Sequence, residues 1–209
     1  GYKNMIGVFN QPEFVICDPE LLKTLSEREI SCGLAEIVKH AAIGDIDLFT
    51  FLEQHHENAG ALDSQIIERL VLDSVTLKSS IVSRDEIERG ERRMLNFGHT
   101  FGHALEKVMG VPHGEAVSMG ITIASALSVK RGLLAVEDEQ RILSLMKHLK
   151  LPTRVESEHE QLFDALGKDK KRESNFINFV LLDGIGTAVV EKISLEELKD
   201  AIDEKIRPK

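Results

Sequence analysis

Three of the eight histidines in this chain fall within one short window, at His99, His103 and His113. The window, from Leu95 to Glu115, reads Leu-Asn-Phe-Gly-His-Thr-Phe-Gly-His-Ala-Leu-Glu-Lys-Val-Met-Gly-Val-Pro-His-Gly-Glu. His99 and His103 are four apart, so on a helix they project from one face, one turn from each other, where two imidazoles can address one ion or one substrate. Gly110 and Pro112 then break the helix, and the turn can fold His113 back toward the other two. Imidazole is a common neutral ligand for zinc and related metals, and catalytic zinc sites use three protein ligands with one position left open. A lone histidine near a helix end is ordinarily a cap or a packing residue. Three in one window, with glycines at 98, 102 and 114 permitting close approach, weigh toward a metal.

Those side chains need elements to hold them. Ser26-Glu27-Arg28-Glu29 is a capping box, predicted to open a helix that runs to about Ala42. This helix carries Glu36 and Lys39, three apart and so on one face, beside the apolar stripe Leu34, Ile37, Val38 and Ala41. Such a pair is ordinarily solvated and worth a few tenths of a kcal/mol. The small residues Gly33 and Ala35 beside it suggest close packing instead, and a packed charge needs a metal or an anion as partner. Asp45 to Gln54 and Ser64 to Val82 read as two further helices, with Asn58-Ala59-Gly60 as the break between them. Lys78, late in the second, is either a charge complementing the helix dipole or a functional cation. The charge run Ser83 to Arg93 leads into the histidine window, and Arg92 and Asn96, four apart, can reach it.

Ala116 to Val129 is nearly continuous apolar with small residues, the pattern of a helix buried on most sides. Val136 to Leu149 is a cleaner amphipathic helix, and Glu158 to Gly167 a short one. It runs into Lys168-Asp169-Lys170-Lys171-Arg172, a solvated loop or an anion clamp. Phe176 to Leu182 and Thr187 to Ile193 form a hairpin about Asp183-Gly184-Ile185-Gly186, and Ser194-x-x-Glu197 caps a final helix. At the other end, Asp18-Pro19 starts a short helix over Glu20 to Thr24. Before it, Val8-Phe9 and Phe14 to Cys17 read as two short strands about Gln11-Pro12, whose partner strands the chain does not supply.

The net charge of −9 argues against a nucleic-acid surface, so an anionic ligand must be met by a local cluster of Lys and Arg. The longest apolar runs are too short and interrupted to cross a bilayer, and no leader of the signal-peptide kind is visible. Cys17 and Cys32 are the only cysteines, which makes a disulfide framework improbable and a cytoplasmic location the expectation. The opening Gly1-Tyr2-Lys3-Asn4 reads like the interior of a longer sequence.

Assembled, these residues resemble the C-terminal domain of 3-dehydroquinate synthase, within the sugar phosphate cyclases. The matching stretches are Lys3-Asn4-Met5-Ile6-Gly7 with Gln11-Pro12, Leu22 to Leu25, Gly33 to His40, Lys78 with Asp85-Glu86, Arg92 with Leu95 to Ala104, His113 to Val117, and Asp169-Lys170-Lys171. The fold implied is mainly α: a multi-helix domain with a small β-hairpin near the C-terminus. Residues 1–18 are then residual strands and linker of an α/β NAD-binding domain, and residues 19–209 the helical metal- and substrate-binding domain.

For single residues, the resemblance implies that Glu36, His99 and His113 bind a divalent metal, zinc or cobalt. His103 becomes a substrate-phosphate contact and proton-transfer residue, which corrects the grouping drawn from spacing. Lys39, Lys78, Arg92, Asn96, Lys170, Lys171 and Asn4 are similar to substrate-binding positions. Lys3 and Leu21, Leu22, Lys23 and Thr24 are similar to positions lining NAD. The activity implied is a carbon–oxygen lyase reaction on 3-deoxy-D-arabino-heptulosonate 7-phosphate, giving 3-dehydroquinate and phosphate in the shikimate route. The implied partners are that sugar acid phosphate, the enzyme's own N-terminal NAD-binding domain and, in the intact enzyme, a second copy in a homodimer. Without that domain, weak metal binding and no turnover are expected. Related cyclases of the deoxy-inosose and valiolone type, and a non-catalytic helical module with a relict site, are the competing readings.

Overall fold

The computed structural model describes residues 12–155, 159–169 and 175–206. Its elements follow in chain order as α1 (Glu27–Gly44), α2 (Ile46–Gly60), α3 (Ser64–Arg84), α4 (His99–Met109), α5 (His113–Lys130), α6 (Val136–His148), α7 (His159–Asp169), β1 (Phe176–Leu182), β2 (Ala188–Ser194) and α8 (Leu195–Ile206). Two 3-10 segments, Pro19–Thr24 and Glu91–Asn96, precede α1 and α4. The fold is thus mainly helical with one small antiparallel hairpin. No helix of the described residues is long and apolar enough to cross a membrane.

The centre is α5. Val117, Met119, Ile121, Ile123, Ala124 and Leu127 are buried on it, and so are the hydroxyls of Ser118, Thr122, Ser125 and Ser128. Each fully buried Ile or Leu contributes roughly 1.5–3 kcal/mol. Buried hydroxyls cost free energy unless bonded. Ser118 donates to the Pro152 carbonyl at 2.8 Å and Ser128 to the Ala124 carbonyl at 2.8 Å.

Glycine sets how close the neighbours come. A Cβ on Gly120 of α5 would lie 1.9 Å from the Gly98 carbonyl oxygen at the start of α4, and one on Gly102 of α4 would press on Val117 at 3.3 Å. A Cβ on Gly114 would meet Cys32 of α1 at 2.4 Å. The helices carrying the histidines and Glu36 therefore touch backbone to backbone. Arg28 of α1 adds a two-pronged ion pair with Glu115 of α5, its Nη2 donating at 2.9 Å.

Helix ends follow the local chemistry. Ser26 and Glu29 complete the capping box of α1. Gly110, at φ 66°, ends α4 in the left-handed region that glycine occupies without penalty. Gly184 and Gly186 take φ of 85° and 91° in the hairpin turn. There the Gly186 N–H donates to the Ala42 carbonyl at 2.8 Å, fixing the turn to the end of α1. The Leu182 N–H donates to Ser128 Oγ at 3.0 Å, holding β1 against α5.

One local expectation shifts. The break after α2's first part falls at His55 (φ −121°, ψ 19°), one residue past Gln54, and not at Asn58-Ala59-Gly60, where helical turns continue to Gly60 before Leu62 takes a positive φ. Phe14 to Cys17 are unpaired among the described residues, with Phe14, Val15 and Ile16 exposed, as for extended runs whose partner strands this chain does not supply. Val8, Phe9 and Gln11 lie outside the described residues.

Candidate metal centre and adjoining cleft

Glu36, His99 and His113 converge, each offering one ligand atom, with these atoms all within 4.8 Å of one another. Glu36 comes from the middle of α1, His99 is the first residue of α4 and His113 the first of α5. His99 Nε2 stands 3.5 Å and His113 Nε2 3.6 Å from Glu36 Oε1. That oxygen is buried without a hydrogen-bond partner, whereas Oε2 accepts from Lys39 Nζ at 2.8 Å.

The far sides of both rings are committed. His99 Nδ1 is 3.1 Å from the Phe97 carbonyl oxygen and His113 Nδ1 is 3.0 Å from Glu106 Oε2. Both partners accept, so each Nδ1 carries a proton, and in the neutral form of each ring it is the Nε2 lone pair that faces Glu36. An orphaned buried carboxylate oxygen opposite two such lone pairs is costly without a cation between them. One carboxylate oxygen and two imidazole nitrogens also form a donor set suited to zinc or cobalt. The residues present fit a divalent metal.

Charge agrees with that geometry. Burial pushes the Glu36 carboxyl up, but His113, the Lys39 ammonium and His99 outweigh it, and the group sits well below the usual carboxylate range. Burial takes His99 down to about 4, so its ring is neutral at pH 7. His113 is raised, chiefly by Glu36 and despite its burial, with Glu106 adding to the rise. Burial lowers Lys39, with Glu36 opposing and Lys78 reinforcing the shift. That influence places Lys78, itself exposed, in the same electrostatic neighbourhood.

His103 does not join the metal-ligand cluster. Its ring centre lies 5.4 Å from that of His99 and 6.0 Å from that of His113, and it lines a cleft of about 270 Å³ beside them. Asn96 lines the same cleft and donates from Nδ2 to Glu88, another wall residue. Arg92 does not line it: its Nη1 donates to the Glu86 carbonyl at 2.6 Å, and its own N–H is held by Asp85 at 3.1 Å. Asp85 collects the N–H groups of Arg89 and Gly90 as well, knotting the charge run into a tight loop. Arg93, Thr100 and Asn178 complete the polar wall, none of them singled out from sequence. Arg93 could have been: it lies three before Asn96, as near in helical spacing as Arg92.

Leu21 to Thr24 form part of the first 3-10 segment, where Leu22 packs on the core, Leu21 is exposed and Thr24 donates to the Leu21 carbonyl at 2.8 Å. Lys23 bonds Glu20 at 2.5 Å. Lys3, Asn4, Lys170 and Lys171 lie outside the described residues. His40, which spacing gave no reason to single out, is buried beside Lys39 with Nδ1 2.7 Å from Ser74 Oγ and Nε2 unpartnered.

Comparison with known proteins supplies the family. The curated 3-dehydroquinate synthase of Dichelobacter nodosus is 41% identical over 202 residues, covering 94% of this chain and 55% of that protein. That of Halalkalibacterium halodurans is 39% identical over 210 residues, covering 98% and 58%. The chain thus spans a little over half the length of these relatives. Among solved structures, a 2-epi-5-epi-valiolone synthase from Streptomyces hygroscopicus with NAD+ and Zn2+ bound superposes with a TM-score of 0.87 at 28% identity, covering 97% of this chain and 58% of that one. A 2-deoxy-scyllo-inosose synthase complexed with carbaglucose-6-phosphate, NAD+ and Co2+ shares the fold at a TM-score of 0.86 and 24% identity, covering 98% and 60%. Residues 1–32 match the family description "3-dehydroquinate synthase N-terminal". Residues 33–172, which hold Glu36, His99 and His113, match "3-dehydroquinate synthase C-terminal", and the chain therefore belongs to the 3-dehydroquinate synthase family.

Proposed function

We propose that this chain is the metal- and substrate-binding part of a 3-dehydroquinate synthase, a lyase that converts 3-deoxy-D-arabino-heptulosonate 7-phosphate to 3-dehydroquinate and phosphate. The supporting observation is the unpartnered Glu36 Oε1 facing two imidazole Nε2 atoms, in a chain of this family. Glu36, His99 and His113 would hold a zinc or cobalt ion. Bound there, the ion supplies Lewis-acid polarisation of a substrate oxygen, and NAD supplies hydride transfer.

The chain's own residues do the rest. Lys39, buried and 2.8 Å from Glu36, presents a fixed cation to a substrate oxygen next to the metal ligands. Lys78 adds a second positive charge nearby, and with Arg92, Lys170, Lys171 and Asn4 it is assigned to the substrate's carboxylate and phosphate. Asn96 on the cleft wall orients hydroxyl groups. His103 lines the same wall and would hold the phosphate and move a proton at its oxygen. Lys3 with Leu21 to Thr24 forms one wall for the nicotinamide, residues 1–18 being the edge of the NAD-binding domain. That domain of the same enzyme and a second copy in a homodimer are the partners, and the location is cytoplasmic.

The test is turnover by an intact enzyme carrying this chain with its dinucleotide-binding domain, offered heptulosonate phosphate or glucose 6-phosphate with NAD and zinc. Phosphate release from the first alone is expected. Release from the second alone would transfer the chain to the inosose-type cyclases.

A further inference from the structure

Glu106 belongs to neither the metal-ligand cluster nor the cleft wall. It sits on α4, three residues after His103 and seven after His99, so one helix presents all three along one side. Its Oε2 is 3.0 Å from His113 Nδ1, while the opposite nitrogen of that ring is 3.6 Å from Glu36 Oε1. The chain carboxylate, imidazole, Glu36 oxygen is therefore continuous from α4 through α5 to α1.

His113 needs such a partner more than His99 does. His99 is tied to the backbone carbonyl of Phe97, which no side-chain substitution removes. His113 is the first residue of its helix, follows Pro112, and its side chain is about a third exposed against 12% for His99. Neither its ring rotation nor its tautomer is fixed by packing alone. A neutral imidazole ordinarily divides its proton between the two nitrogens, and only the form protonated at Nδ1 leaves Nε2 able to bind a cation.

We infer that Glu106 is a positioning residue of the metal centre, whose carboxylate holds His113 in the Nδ1–H tautomer with Nε2 turned to Glu36 and raises its strength as a ligand. The inference rests on the metal reading given above. The acceptor at His99 is neutral and the one at His113 is charged, so the two histidines are unequal ligands. Of the two, it is the second that Glu106 contacts.

The experiment measures Zn2+ affinity of the full chain by competition with a chromophoric chelator, for the unaltered protein and for Glu106→Gln, Glu106→Ala and His99→Ala. Histidine tautomers are read in parallel from long-range nitrogen–proton NMR spectra of the metal-free protein at alkaline pH. Loss of a partner of this kind typically weakens affinity by about 10- to 100-fold. We expect that loss for Glu106→Ala, a smaller one for Glu106→Gln, and His113 shifting toward the Nε2–H form in both. The metal-free melting temperature should fall only slightly, because the Glu106 side chain is itself about a third exposed. Unchanged affinity in both Glu106 variants while His99→Ala abolishes binding overturns the role of Glu106 and leaves the metal centre standing. An unaltered chain that binds no zinc overturns both. Lost affinity with an unmoved His113 tautomer overturns the positioning role.

Discussion

Gly120 of α5 lies against the Gly98 carbonyl so closely that a Cβ on it would fall 1.9 Å from that oxygen. The contact joins the helix that begins with His113 to the residue just before His99. The spacing of the two imidazoles is thus set by backbone meeting backbone, without an intervening side chain.

Gly120→Ala should accordingly lower both stability and metal affinity. Overpacking a tight contact costs typically 1–3 kcal/mol, and backbone yields less than a flexible side chain would. Chemical denaturation should show a loss of at least that size, and zinc titration a weaker site, although no ligand has been altered. Gly132→Ala, at a glycine with open space around it but φ 72°, should cost stability and leave the affinity alone.

Lys39 is 3% exposed, and its ammonium pairs with Glu36 Oε2 at 2.8 Å. Glu36→Ala should destabilise the metal-free chain by about 3 kcal/mol or more, since removing one member of a buried pair strands the other charge. The double change Glu36→Leu with Lys39→Met should recover most of that loss while binding no zinc. Urea unfolding of the two variants side by side gives the comparison, and equal stability for both would contradict it.

Acid should weaken the metal-free fold through His40. Burial, aided by the nearby Lys39 charge, takes this ring to about 3, against an ordinary histidine value of about 6.5. The folded state therefore refuses a proton that the unfolded chain accepts. The contribution is complete above about pH 6.5 and is lost as pH falls toward 3, at up to about 1.4 kcal/mol per pH unit. His40→Gln, which retains a hydrogen-bonding group for Ser74, should flatten the stability profile over that range and change little above pH 7.

Zinc or cobalt should stabilise the chain by mass action. At a concentration one hundred times the dissociation constant the gain is about 2.7 kcal/mol, or roughly 5–10 °C in melting temperature for a chain of this size. Chelation should reverse it and His99→Ala abolish it. Magnesium, which prefers oxygen ligands, should give little shift.

The sequence made the helices legible where their ends carry chemistry. The Ser26–Glu29 capping box, the Gly110-Val111-Pro112 break and the Gly184 and Gly186 turn each fall where local preference put them. The Asn58-Ala59-Gly60 stretch misplaced the break by a few residues: the helical geometry is interrupted at His55, and the turns that follow reach Gly60 with Ala59 buried in the core. Spacing grouped His99 with His103 since it reports only which residues share a face of one helix. Which residue of another helix meets that face depends on helix packing, and here it is Glu36. Resemblance to the family named Glu36 where spacing alone stopped. Arg93, Asn178 and Glu106 escaped both, as their importance comes from a cleft and a ring nitrogen that exist only in three dimensions.

The hydrogen bond from Gly186 to Ala42 couples the hairpin near one end of the sequence to the helix that bears Glu36 near the other. Closing so long an interval is entropically demanding and tends to come late in folding. During synthesis, His99 and His113 leave the ribosome well before the hairpin turn that bonds to the end of α1. The far end of α1, the helix that supplies Glu36, is thus tied down only once the hairpin has formed.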